Sequence, residues 1–212
     1  MFSLFAKTFI AIFLIFAAPQ AVWANTTTLS SYLPQGCYHA GEYQQHKTLA
    51  GMDKPLITDG SFAFYCNQGL IWHTHSPITE TTIYKAQGSH VVVRADGSTQ
   101  VLDSRAQRAL GKILNNLIGG NSDYLQQTFS IVEKGDRVEL TPKNKQMQKF
   151  LNSLSITPQA DSVKITLQLA EQEIIAIRIF ARRSFASLEQ TQCAQLLTLP
   201  PLACNILFKG AR

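Results

Sequence analysis

The side chains best equipped for chemistry gather in one stretch. His73 and His75 stand two residues apart, with His46, Asp59 and Glu80 near them in sequence. In a strand both imidazoles share one face, a spacing that can ligate a metal ion or work with a carboxylate as a base. A zinc reading would join Cys37, His39 and Cys66 to His73 or His75, yet their spacing follows no familiar ligand motif. Neither Gly-x-Ser-x-Gly nor His-Glu-x-x-His occurs in the chain. No catalytic residue, metal ion or cofactor is therefore expected. The histidines read as exposed positions on a strand.

The four cysteines, Cys37, Cys66, Cys193 and Cys204, offer a second kind of chemistry. An even count in an exported chain suggests disulfides. Three pairings are open. Cys37–Cys66 and Cys193–Cys204 are favoured, because each joins sequence neighbours without a long crossing connection.

Export itself is read from the N-terminus. Lys7 precedes the apolar run from Thr8 to Ala18, Pro19 breaks that run, and Val22-Trp23-Ala24 supplies a cleavage site after Ala24. This is the pattern of a signal peptide over residues 1–24. The run is shorter than the roughly 20 residues of a membrane span, and no later stretch approaches that length, so a soluble exported chain is expected. Pro34 stands where a lipidation motif ending at Cys37 would need an aliphatic residue, which argues against an anchor there. Lys and Arg number 19 against 14 acids, a formal charge of +5. Basic residues such as Arg94, Arg105, Arg108 and Lys112 are dispersed among polar ones, as on a solvated surface. No basic run with interleaved aromatics supports nucleic-acid binding.

These residues must be positioned by strands. Alternating or β-branched segments run over 38–49, 55–66, 70–75, 79–86, 89–95 and 98–102, the last pair joined by the tight-turn dipeptide Asp96-Gly97. Phe62, Phe64 and Cys66 share one strand face, with Ser61, Ala63 and Tyr65 on the other. Leu70 and Trp72 share a face opposite Ile71, His73 and His75. The period then changes. Ala106, Leu110, Ile113, Leu114 and Leu117 recur at helical spacing behind a Ser104/Gln107 capping box, and Gly119-Gly120 provides a stop, predicting a helix over 105–118. A further helical turn is expected at 122–126, strands at 128–133 and 137–141, a short helix or loop at 143–154, and strands at 163–170 and 174–180. A sheet with one apolar face needs a cover. The helix could close it over a cavity or over an ordinary packed core; the pattern alone favours the packed core.

The order of several pieces adds to this. Tyr43, Gln45 and Lys47 form an aromatic-x-Gln-x-Lys strand. Gly51, Pro55-Leu56 and Gly60 follow, then Trp72 with Pro77 after it. Leu117-Ile118, Leu125, Phe129 and Leu140-Thr141-Pro142-Lys143 come later. Over residues 38 to 180 this series resembles the LolA family, the periplasmic carriers of outer-membrane lipoproteins, in its divergent lipid-carrier branch. The resemblance implies a mainly β fold with helices (α+β), a curved antiparallel sheet forming an incomplete β-barrel closed by an amphipathic helix. It also implies an apolar cavity that shelters acyl chains, with Phe62, Phe64, Leu70, Trp72, Leu110, Leu114 and Leu117 as its expected lining. The implied cargo is an acyl-chain lipid or a lipoprotein. Membrane-bound donor and acceptor proteins are the implied partners, and a monomer is expected. The organisation expected is a signal peptide over 1–24, a carrier domain over 25–180 and a divergent tail over 181–212. Two departures stand out. Cys66 occupies the position where the family carries an arginine ahead of its tryptophan, and the tail has no counterpart in the family pattern. A periplasmic lipid hydrolase or thioesterase, and a non-transporting envelope scaffold, are the alternative readings.

Overall fold

The first and last strands of the sheet meet in its middle, which decides where the structure is open. The computed structural model describes residues 29–34, 36–186, 192, 193, 195 and 200–209; the expected signal peptide lies outside them. Among the described residues the strands are β1 (Tyr38–Thr48), β2 (Leu56–Tyr65), β3 (Gly69–Ser76), β4 (Glu80–Lys85), β5 (His90–Arg94) and β6 (Thr99–Leu102). After the helices α1 (Arg105–Ile118) and α2 (Ser122–Thr128) come β7 (Phe129–Lys134), β8 (Arg137–Pro142), the short α3 (Lys145–Gln148), β9 (Leu151–Pro158), β10 (Val163–Leu169) and β11 (Ile174–Phe185). A final helix, α4, spans Pro201–Lys209, and a 3-10 turn, Leu29–Tyr32, precedes β1.

All eleven of these strands form one antiparallel sheet in the order β6-β5-β4-β3-β2-β1-β11-β10-β9-β8-β7. Pairing of β1 with β11 closes the chain at the centre. The free edges are β6 and β7, which are consecutive in sequence and joined through α1 and α2. The sheet is thus a barrel left open along one seam, with the amphipathic helix packed into its concave side. No helix among the described residues is long and apolar enough to cross a membrane.

Helix α1 has the bounds expected from sequence. The Ser104 hydroxyl accepts from the Gln107 N–H at 3.2 Å, and the Gln107 side chain returns a bond to the Ser104 N–H. Ile113, Leu114, Leu117 and Ile118 are buried against the sheet, Leu110 is half-buried, and Ala106 is exposed because the first turn faces solvent throughout.

Three expectations need correction, and one alternative reading falls away. The segment expected as a short helix or loop over 143–154 holds only the brief α3, followed by a strand, β9. Its buried Leu151 and Leu154 stand three apart because the pairing with β10 slips between Gln168 and Leu169. That irregularity gives a strand a helix-like spacing. Strand β11 runs to Phe185 and not Phe180, since Tyr38 to Ala40 of β1 continue to pair with it. His73 is not exposed: it retains 5% of its surface, and its Nδ1 lies 2.8 Å from the Thr81 hydroxyl. Cys37 and Cys66, offered above as zinc ligands in an alternative reading, are disulfide-bonded to each other, so neither thiolate exists to bind a metal.

The disulfides follow the nearest-neighbour pairing, with Cα–Cα distances of 4.9 Å for Cys37–Cys66 and 5.9 Å for Cys193–Cys204. The second belongs to a feature that had no expected place. Helix α4 packs on the convex side of β3 and β4, where Ala203, Cys204 and Leu207 meet Ala63, Tyr65, Ile71 and Ile83 in a second apolar cluster. The main cluster fills the concave side.

Candidate ligand-binding cavity

The concave side is filled unevenly. Under β2 and β3 the aromatic side chains stack. Tyr43 lies against Trp72 with ring centroids 3.8 Å apart, Phe62 follows at 5.9 Å, and the Tyr43 hydroxyl is 2.7 Å from that of Thr74. Burial pushes the Tyr43 phenol well above its usual range. Against β9, β10 and β11 the packing stops short. A cavity of about 800 Å³ lies there, within the roughly 300–1,000 Å³ common for small-molecule sites.

Its walls follow from period-two alternation. Ile156 of β9, Val163 and Ile165 of β10 and Ile179 of β11 point to the concave face. Phe62 closes one side, and Leu117 and Ile118 come from the last turn of α1. The roof is the segment before β1, where Tyr32, Leu33 and Pro34 lie over the cavity. Two devices seat this roof. A Cβ at Gly120 would fall 2.1 Å from the Pro34 carbonyl oxygen, and Gly120 has φ +68°, so only glycine lets the roof meet the end of α1. The Cys37–Cys66 bridge, with the Cys66 N–H donating to the Cys37 carbonyl at 2.9 Å, ties the roof's downstream end to the β2–β3 turn.

Of the seven residues nominated from sequence, Phe62 and Leu117 line the cavity. Phe64, Leu70, Trp72 and Leu114 are buried in the same core beside it, and Leu110 packs partly buried against that core. Ile156, Val163, Ile165, Ile179 and the roof were not nominated. The alternation of Val163 and Ile165 was legible, but it says only that they face inward and not that the space before them is empty.

The rim is polar, formed by His39, Asp161, Arg182 and Ser184. His39 Nε2 lies 2.8 Å from the Gly36 carbonyl, so that nitrogen carries the proton and donates; Nδ1 then accepts from the Ser184 hydroxyl at 3.1 Å. Burial lowers the basicity of His39, the Gly36 carbonyl opposes this, and nearby Arg182 lowers it further.

The histidines that opened the chemical reading sit elsewhere. His73 and His75 contact edge to face at 4.5 Å, and His75 Nε2 is 3.0 Å from the Ser61 hydroxyl. This pair lies on the convex face, opposite the cavity. Ser61 retains only 4% of its surface, and among the described residues the Asp59 carboxylate is engaged by Gln44, not by His75. An inaccessible hydroxyl without an oriented base is not a nucleophile in waiting. Among the described residues no three His, Cys, Asp or Glu side chains converge as a metal site.

The fold is an open, cup-shaped antiparallel sheet with a helix in its concavity and a roofed hollow beside it. The model of the outer membrane lipoprotein carrier protein LolA matches residues 38–182, and the chain belongs to that family. Among solved structures it is similar to a LolA superfamily protein from Nitrosomonas europaea, at 10% identity and TM-score 0.47, over 77% of this chain and 92% of that one. It is also similar to a DUF1329 family protein from Desulfovibrio piger, at 9% identity and TM-score 0.46, over 77% and 92%. No curated protein matches the chain. The family match ends inside β11, so α4 and the Cys193–Cys204 bridge lie beyond it.

Proposed function

We propose that this protein is a periplasmic carrier that shelters acyl chains of a lipid or lipoprotein and passes them between membranes. The roofed apolar cavity is the observation that carries this reading, and membership of a family described as lipoprotein carriers supports it. Each methylene moved out of water contributes about 0.8 kcal/mol, so a 16-carbon chain gains on the order of 12 kcal/mol before ordering costs. Loss of such a chain into water is then very slow, and delivery depends on a change in the cover that weakens burial. The cover includes the roof, a short segment resting on the end of α1. Cargo would arrive from and leave to membrane-bound donor and acceptor proteins. Cys66 is locked in a disulfide where the family carries arginine, so guanidinium bonding cannot control the cover from that position. This chain is accordingly a divergent relative whose cargo is held mainly by non-directional burial.

Binding of a fluorescent fatty-acyl probe to delipidated protein, with displacement by lipid extracted from the native envelope, tests the reading. A folded, delipidated sample that binds no acyl probe would overturn it. Mass spectrometry of lipid retained through purification names the cargo, and N-terminal sequencing of the exported protein checks cleavage after Ala24.

A further inference from the structure

We infer that Arg182 is an anion subsite at the mouth of the cavity, so that the preferred ligand is an acyl chain ending in a carboxylate or a phosphate. This inference rests on the carrier reading and adds the head-group chemistry.

Ile175, Ile177 and Ile179 face the concave side, so unbroken alternation would continue with Ala181, Arg183 and Phe185 and turn Arg182 outward. The pairing with β1 prevents this. Ala40 faces Arg183 and Glu42 faces Phe180, so the single residue Gly41 opposes both Ala181 and Arg182. One extra residue on one strand is a β-bulge, and it reverses the facing of everything beyond it. The consequences are visible on both sides. Ser184 and Arg182 line the cavity, beside Phe180 and Ala181, whereas Phe185 packs against the convex cluster under α4.

The bulge is held at a cost. Ala181 has φ +48°, a left-handed conformation that alanine rarely adopts. Gly41 opposite it has no room for a side chain, because a Cβ would sit 2.9 Å from the Phe62 ring. Such irregularities re-aim side chains beside functional sites. Here the side chain re-aimed is a guanidinium, at the polar rim of the hollow.

Its neighbours leave it available. The hydroxyl of Ser184 donates to His39, and the His39 N–H is taken by the Gly36 carbonyl. The Asp161 carboxylate on the same rim is engaged by Arg178, with Nη2 at 3.4 Å. Among the described residues no carboxylate pairs with Arg182. Arginine presents a planar fork that matches carboxylate and phosphate oxygens. An acyl chain laid against Ile165 and Ile179 would place its head group at this rim.

The test compares three ligands of one chain length by calorimetry below their micellar concentrations: palmitate, palmitoyl-glycerol phosphate and neutral monopalmitoylglycerol. The intact protein should bind at least one anionic ligand about tenfold more tightly than the neutral one, and the preference should shrink as salt rises. Whichever anion leads distinguishes a free fatty acid from a phospholipid-like cargo. Arg182→Gln should abolish the preference, lowering the affinity of the leading anion about tenfold, to that of monopalmitoylglycerol. Arg183→Gln, on the other side of the bulge, should preserve it. Equal binding of all three ligands, or a preference that survives Arg182→Gln, overturns the anion subsite and leaves the carrier reading intact. Failure of all three to bind the folded protein overturns both.

Discussion

Strands β2 and β3 and strands β9 to β11 use the same alternation but bury different numbers of faces. In β2, Phe62 and Phe64 enter the concave core while Ala63 and Tyr65 lie under α4, so a run of consecutive residues is buried. In β9 and β10 buried positions alternate with half-buried or exposed ones, and only the concave face is covered. The doubly covered half is stacked with aromatics and further clamped by two disulfides. The singly covered half borders the cavity. The contrast lies in coverage: one wall is packed on both faces, and the other is packed on its concave face alone. The tail, outside the family match, builds the outer layer of the rigid wall.

The sharpest way to break this comparison is to truncate one side chain in each half. Leu70→Ala, in the packed half, should cost about 4 kcal/mol, near the upper part of the range for buried leucine. Ile165→Ala, at the cavity wall, should cost about 2 kcal/mol, because part of its surface already lacks neighbours to lose. Urea denaturation of both variants measures the difference; equal costs would mean the two halves are packed alike. Next in size, replacing Cys193 and Cys204 together by Ser should remove about 3 kcal/mol, the loop-closure value for a separation of 11 residues. Acyl-probe affinity should be nearly unchanged, since that bridge serves the rigid wall. Val163→Phe should do the opposite. It fills the hollow at a stability cost below about 2 kcal/mol and lowers acyl-probe affinity at least tenfold, as fluorescence titration would show.

The smallest effect concerns pH. His39, His73 and His90 all have basicity lowered from the usual 6.5, in each case chiefly by burial. Below about 6.5 the unfolded chain takes up protons that the folded chain refuses, so stability is fully present above that value and declines as pH falls through it. Thermal melts from pH 7.5 to 5.5 should show a falling midpoint. His73→Gln should flatten part of the slope, because glutamine can bond Thr81 without titrating. A slope unaltered in His73→Gln would remove this buried imidazole from the account.

Legibility followed the range of the interactions. Helix α1 was readable to the residue because its cap, its apolar stripe and its glycine stop are all local signals. The β1–β6 meander was readable because each strand pairs with its sequence neighbour across a short turn. Strand β9 was not, since a slip against β10 disguised its period. Of the cavity, Phe62 and Leu117 were nominated and the β9–β11 wall was not. Inward-facing positions look the same whether a core or a hollow lies before them.

By itself, then, the sequence determined most of the strands, the amphipathic helix and the family, and favoured the disulfide pairing that the structure holds, because propensity, alternation and neighbour spacing are properties of short stretches of chain. Only the tertiary structure decided that β1 meets β11, that one residue too many on β11 turns Arg182 toward the cavity, and that α4 covers the convex side of β3 and β4. Each of these depends on a partner far away in sequence. Whether a face is filled, hollow or doubly covered is decided by what arrives opposite it, and no local pattern encodes that arrival.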